Sequence, residues 1–414
     1  MTTTLQQPTA STPNKTRSGS LLLPGLIGFF FAFRTCFTFL WFQDDPQLGS
    51  IATVTLSFAL LTVVSLSTIG STPSISPSAF RTSTLRWITA FLGLNLLSLL
   101  WTAAPLDAAA SYWGAWAADV ATIWFLLRDG HADSRAEAVM KGYISGTCLV
   151  AIIAWGLPVM SDLRLGDEDY LHPNAIGFVT AIATLMAMHL AHRQKNWRWP
   201  AIWLALTLMR TISKTSIIAF FAALIFYVFR NKSLTRAARI WIGVVAGVIL
   251  GVLSGLLITY ANTYSESTNP ETLTGRTVIW AASGEIALEK PIIGHGFYSL
   301  RFLVPPIGTF QPEQAHNELL QQFFVLGTTG IVFVLCLYWA VFRQIRRAPA
   351  SNLKTLAATL LVFALVRGLT DTQNFDLSYP LWLMAMISIL LASQAAPAQP
   401  PLPLVQNADH DFIR

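Results

Sequence analysis

Charge is scarce in this chain. Of its 414 residues only 12% are Asp, Glu, Lys or Arg, about half the share of an ordinary soluble domain. Mean hydropathy is +0.53. This shortage excludes a soluble globular protein and a disordered chain. Cysteine is equally sparse. Cys36, Cys148 and Cys336 each sit in an apolar stretch with neither CxxC nor metal-like spacing, which excludes a disulfide scaffold and reads as small buried hydrophobes. Metal patterns are missing too. No pair among the seven histidines has zincin spacing and nothing reads as an Asp-x-Asp metal–diphosphate site, so neither a metal nor another cofactor is expected. The net charge of +6 does not indicate nucleic acid, because the cations fall at the ends of apolar segments.

Apolar runs of about 20 residues recur throughout, the length that crosses a bilayer. The expected fold is therefore all-α: a polytopic membrane protein with spans at 21–41, 50–69, 87–105, 111–127, 140–158, 173–192, 200–210, 215–229, 240–260, 319–342, 355–373 and 380–396. The division expected is a polar tail 1–20, a membrane domain 21–396 and a second tail 397–414. The first run, Leu21–Trp41, ends in Gln43-Asp44-Asp45 without a small-x-small cleavage site and reads as an uncleaved span. No internal repeat is visible.

Assigning alternate connections to opposite sides gathers nineteen of the Lys and Arg residues on one side and six on the other; Arg34 and Arg367 fall within spans. The rich side is expected to be cytoplasmic, with both termini inside. Most outer loops are short. The exception is 261–318, and a loop of that length is uncommon without a function.

Two stretches are too short to span comfortably. Eleven residues, 200–210, reach about 16 Å as a helix, half the hydrocarbon thickness. A short helical hairpin is expected, with the tip Arg210-Thr-Ile-Ser-Lys214-Thr-Ser216 at membrane depth. Cations there are costly unless water or an anion meets them, and a lipid-borne phosphate is such an anion. In the long loop, Gly275–Glu289 predicts an amphipathic helix lying at the outer surface, with Val278, Ile279, Ala282 and Ile286 on its apolar face and Pro291 ending it. Arg276 falls in the first turn, where a cation is unfavourable unless an anion joins it. His316 stands at the mouth of the tenth span, and a histidine there can act as a base near neutral pH.

The ordered set Arg210, Gly275-Arg276-x-x-x-Trp280, Pro291-x-x-Gly-x-Gly296, His316-Asn317 and Gly327-x-x-Gly330 resembles the O-antigen ligase and polymerase superfamily. The motifs cover roughly 170–340 and the topology the whole chain. The resemblance implies a GT-C-like membrane enzyme of the bacterial inner membrane, its site facing the periplasm. It implies metal-independent glycosyl transfer from undecaprenyl diphosphate. By the same resemblance Arg210 and Arg276 match the diphosphate-binding arginines and His316 the histidine that serves the acceptor hydroxyl. Around these catalytic candidates, Asn317 and Arg301 are expected to bind substrate. His172-Pro-Asn174 resembles a recurrent His/Asn site that either lines the sugar path or caps a helix. Lys214 in Ser-Lys-Thr resembles the exopolysaccharide polymerase branch. Gly327 and Gly330 are expected to permit close helix packing. Arg34, Asp119, Arg367 and Asp371 are expected to be structural, the last two as an i,i+4 pair.

The partners implied are the lipid-linked donor, an acceptor that is either a lipid-linked repeat or lipid A–core, the membrane, and a chain-length regulator. A polymerase is slightly favoured over a ligase, since two lipid diphosphates call for an extra cation such as Lys214 or Arg301. A secondary transporter or lipid-glycan flippase is the reading from another class. Against it, the link between spans six and seven is only Arg193–Trp199, and the long loop lies outside.

Overall fold

The computed structural model describes residues 21–69, 80–128, 131–230 and 273–395, apart from 159, 161, 162, 168, 169, 309, 374 and 375, together with scattered positions between 235 and 247. The tails 1–20 and 397–414, nearly all of the ninth expected span 240–260, and the loop's first residues 261–272 lie outside the described residues.

Among the described residues the molecule is all helical, with a lone bridge between Ile307 and Phe310. The helices are α1 Leu22–Phe33, α2 Phe37–Trp41, α3 Pro46–Thr68, α4 Ser83–Ser98, α5 Leu106–Leu126, α6 Ala132–Trp155, α7 Pro173–Leu190, α8 Arg198–Arg210, α9 Lys214–Arg230, α10 Leu273–Ala287, α11 Leu300–Leu303, α12 Glu318–Arg347, α13 Asn352–Gly368 and α14 Leu381–Ala395. Five segments are long and apolar enough to cross a membrane: Leu22–Trp41, Pro46–Thr68, Ala132–Trp155, Pro173–Leu190 and Glu318–Arg347. The chain is a polytopic membrane protein by this pattern.

Local chemistry sets the helix starts. Asp45 caps α3, its carboxylate accepting from Leu48 N at 3.0 Å with Pro46 at the first helical position. His172 caps α7 through Nδ1, and Asn317 caps α12 through Oδ1. α14 is apolar on every side, Leu381-Trp-Leu-Met-Ala-Met-Ile-Ser-Ile-Leu-Leu, and such a helix must be surrounded. It is: every residue from Leu381 to Leu391 is buried, against α4, α5, α6, α12 and α13. Around it α1 packs along α6, α3 along α5, α7 along α8 and α9 along α13.

Two expectations need correcting. The tenth span is not one continuous helix. Gly327 in α12 has φ 65° and ψ −158°, which breaks it. The freed backbone is paired with the loop: His295 N donates to Phe324 O at 2.9 Å, Gly296 N to Val325 O at 2.8 Å, and Thr328 N to Pro291 O at 2.8 Å. A Cβ on Gly294 would sit 2.4 Å from Val325 C, and one on Gly327 2.3 Å from Ile292 C. The Pro-x-x-Gly-x-Gly segment and Gly327 are therefore two halves of one backbone-to-backbone contact, not a helix-packing stripe. The second correction concerns α10. Val278 is 45% exposed, whereas Arg276, Ile279, Ser283 and Ala287 are buried. This face, offset from the one expected, docks on α12, so α10 is held by tertiary packing as well as by its surface position.

Candidate functional site

Three motif residues converge on three consecutive residues of another loop. That loop, 369–380, joins α13 to α14. Asn317 Nδ2 donates to Leu369 O at 2.9 Å. Arg276 Nη1 donates to Thr370 O. His316 Nδ1 lies 3.1 Å from Asp371 Oδ1. The other carboxylate oxygen, Oδ2, accepts from Arg367 Nη2 at 2.9 Å and from Thr215 Oγ1 at 3.3 Å. Asp371 is thus the hub that joins the long loop, α13 and the start of α9.

The pair Arg367–Asp371 is 2% and 1% exposed at its side chains. Burying two charges costs several kcal/mol each unless geometry and extra hydrogen bonds compensate. Here they do. Asp371 has the partners above plus Thr372 N at 3.0 Å, and the Arg367 guanidinium stacks over the Phe178 ring at 4.3 Å. The i,i+4 pairing expected from sequence exists. Its attachment to His316 was not legible, because nothing in the chain marks which outer group would meet Asp371.

His316 is held in a strained conformation, with φ 48°. Such a left-handed angle is uncommon for a residue with a Cβ and persists where surroundings over-determine it. The flanking peptide is pinned on both faces: Trp280 Nε1 donates to Ala315 O at 2.8 Å, and Ala315 N donates to Gln321 Oε1 at 2.8 Å. Asn317 then starts α12. The motif tryptophan four residues after Arg276 thereby fixes the turn that presents His316. Asp371, an acceptor, selects the tautomer with hydrogen on Nδ1 and leaves Nε2 as the basic nitrogen.

The α8–α9 tip is buried as expected of a hairpin end: Thr211, Ser213 and Ser216 are 0% exposed. Arg210 and Lys214 flank it, half-buried. Arg210 Nη1 donates to Leu163 O. Asn174 Oδ1 accepts from Ser213 Oγ at 2.9 Å and from Arg164 Nη2 at 3.2 Å. The tip therefore touches both halves of the site, Asn174 through Ser213 and Asp371 through Thr215.

A cavity of about 660 Å³ opens beside these groups, within the range of small-ligand sites. His316, Asp371, Arg367, His172 and Asn174 line it. His172 caps α7 and also lines the cavity. Arg210, Lys214 and Arg276 stand outside the lining; Arg276 reaches the Asp371 loop at Thr370 O, whereas Arg210 is held at Leu163 O. Arg301 is directed elsewhere: its guanidinium pairs with Glu313 at 3.1 Å and lies over Tyr298 at 4.4 Å, so any contact with substrate would run through Glu313, which does line the cavity. Asp376, in the same loop as Asp371, also lines it; burial pushes its carboxyl up to about 7, with Asp119 adding repulsion.

A membrane-embedded helical protein whose longest loop carries a histidine onto a buried Arg–Asp pair and an arginine onto the backbone beside it is the class that fold and site define. Residues 199–335 match the family model described as O-antigen ligase. This stretch, which contains Arg210, Arg276 and His316, is what the chain shares with the O-antigen ligase family. Proteins that carry the name polysaccharide ligase in Rickettsia conorii and Rickettsia felis are each 23% identical to it over 129 residues, covering 28% of this chain and 31% and 32% of theirs. One from Rickettsia typhi is 22% identical over the same length. The match spans about a third of each relative.

Proposed function

We propose that the protein transfers a glycan from undecaprenyl diphosphate to an acceptor hydroxyl at the outer face of the bacterial inner membrane. The observation that carries this reading is the Asp371 hub: one loop turn receives Arg276, Asn317 and His316 together, with Arg210 on the adjoining tip. The three-to-one excess of Lys and Arg on the opposite side supports the outward orientation.

In the reaction as proposed, the acceptor O–H gives its proton to His316 Nε2, and the oxygen attacks the anomeric carbon. The anomeric C–O bond to the diphosphate breaks, and its electron pair leaves on the diphosphate oxygen. A single displacement inverts the anomeric configuration. Asp371 orients the imidazole and stabilises the imidazolium that forms, as the carboxylate of a hydrolase triad does. Arg210 and Arg276 meet the charge growing on the leaving diphosphate, the task a divalent cation performs elsewhere. Guanidinium suits it, being permanently charged and able to bridge two oxygens.

Two acceptors are compatible with this chemistry. Lys214, at the tip beside Arg210, favours a polymerase that holds a second lipid diphosphate. The names of the relatives favour a ligase that passes the glycan to lipid A–core. Deleting the gene separates them. Short, single-repeat glycan supports the polymerase; full-length glycan stranded on undecaprenyl diphosphate, beside bare lipid A–core, supports the ligase. Unchanged glycan of both kinds overturns the transferase reading.

A further inference from the structure

The cavity has a second polar wall that the transfer chemistry leaves unused. Arg34 begins the 3-10 turn after α1. Its Nη1 donates to Asp119 Oδ2 at 2.6 Å and to Ser57 Oγ at 3.3 Å, joining α1, α3 and α5. Ion pairs at membrane depth are costly and tend to mark function. Asp119 is 4% exposed, and its second oxygen, Oδ1, has no hydrogen-bond partner among the described residues. A buried carboxylate oxygen without a donor is destabilising, so a donor from outside the chain would complete it. Asp376 lies within Coulombic range of both Arg34 and Asp119. Arg34, Ser57, Asp119 and Asp376 all line the cavity that His316 lines.

The charges on this wall decide what it can bind. It has two carboxyl groups to one guanidinium, which disfavours a diphosphate. The diphosphate's place is at Arg210 and Arg276, outside the cavity lining. Aromatic rings also line the cavity, among them Phe31, Tyr112, Trp116 and Trp382. Their rings are fixed, Phe31 on Trp382 with centroids 4.8 Å apart and Tyr112 on Tyr298 at 4.6 Å. Acceptor oxygens between flat apolar faces match one ligand chemistry, a ring with hydroxyls at its rim and C–H groups on its faces.

We infer that the Arg34–Ser57–Asp119–Asp376 wall binds the uncharged sugar ring that carries the acceptor hydroxyl. Its other hydroxyls donate to Asp119 Oδ1 and Asp376, while the reacting one faces His316. The site rests on the transfer reaction proposed above. The sugar can belong to lipid A–core or to a lipid-linked repeat; the recognition chemistry is shared.

The test is a steady-state assay of the full chain in proteoliposomes, with undecaprenyl-diphosphate oligosaccharide as donor. One arm supplies lipid A–core. The other supplies a lipid-linked repeat whose anomeric carbon is joined to the diphosphate through a non-cleavable C-glycosidic phosphonate, so that it serves only as acceptor. Asp119→Asn keeps the side chain's shape and an oxygen for Arg34. It should raise the acceptor KM about tenfold or more in the productive arm, the scale of one lost charge-assisted hydrogen bond. Donor KM should stay within about twofold. Asp376→Asn should act the same way, and it keeps the test decisive if Asp119→Asn does not fold. Donor and acceptor KM rising together, or neither rising, would overturn the sugar site. Wild-type protein transferring glycan in neither arm would overturn the transferase reading, and the sugar site with it.

Discussion

Asp371→Asn is the substitution that separates positioning from packing at the hub. The side chain keeps its size, and an amide oxygen can still accept from Arg367. What it loses is the negative charge 3.1 Å from His316 Nδ1 and 2.9 Å from the buried Arg367. Two consequences have different magnitudes. Without the carboxylate, the imidazole can turn or adopt the other tautomer, and the imidazolium loses its counter-charge. General-base contributions of this kind are worth about 10²–10⁴ in rate, so kcat should fall by about that factor. KM for donor and acceptor should change little, because Asp371 acts through His316. The second consequence is on stability. Leaving a buried guanidinium without its anion costs about 3–5 kcal/mol, and the surviving amide contact offsets part of this. The assay is steady-state turnover in liposomes, paired with thermal unfolding of the same preparation. Asp371→Asn protein that remains folded yet turns over at the wild-type rate would refute the hub. Loss of kcat in step with loss of folded protein would reduce Asp371 to a packing role.

Three further outcomes are expected. Arg276→Ala and Arg210→Ala should each lose about 2–4 kcal/mol of transition-state stabilisation, read as kcat/KM, with Lys rescuing poorly where two oxygens must be bridged; wild-type kcat/KM in either would remove that arginine from the site. Gly327→Ala should lower Tm markedly, since φ is 65° and the new Cβ would meet Ile292 C at 2.3 Å; an unchanged Tm would mean that the helix break is not held by Pro291–Gly296. Asp376 has a carboxyl pushed above its ordinary range to about 7 by burial. The folded state therefore keeps this proton where the unfolded chain has lost it, and the group's contribution to stability falls as pH rises from the ordinary carboxylate range to about 7. Arg34 and Asp119 are the charged neighbours of this carboxyl. Asp376→Asn should flatten this part of the stability–pH profile, and a slope identical to wild type would show that another group causes it.

Much of the fold was legible because apolar run length is set by the bilayer, and all the expected spans but 240–260 coincide with described helices. The short hairpin was legible for the same reason, as two runs too brief to cross. The break in α12 was not. Its apolar pattern continues through Gly327, and only the backbone of Pro291–Gly296, distant in sequence, reveals that the helix opens there. The site divides in the same way. Arg276, His316 and Asn317 could be singled out because they stand in a polar loop beside turn and cap signals. Asp371 and Asp119 could not, because a lone carboxylate at a span's end or inside it looks alike whether it pairs locally or orients a histidine. The three-dimensional facts that settle their surroundings, Thr215 on Asp371 and Arg34 on Asp119, join residues 156 and 85 positions apart.

The central claim is that His316, turned by Asp371, moves the proton in a glycan transfer from undecaprenyl diphosphate. The most direct measurement is single-turnover transfer of a radiolabelled lipid-linked oligosaccharide by purified wild-type and His316→Ala protein in liposomes, run in chelator, with binding of the donor measured in parallel. The account predicts glycosylated acceptor and free undecaprenyl diphosphate from the wild type. It predicts donor binding without product from His316→Ala. Product formed by His316→Ala at the wild-type rate would contradict it.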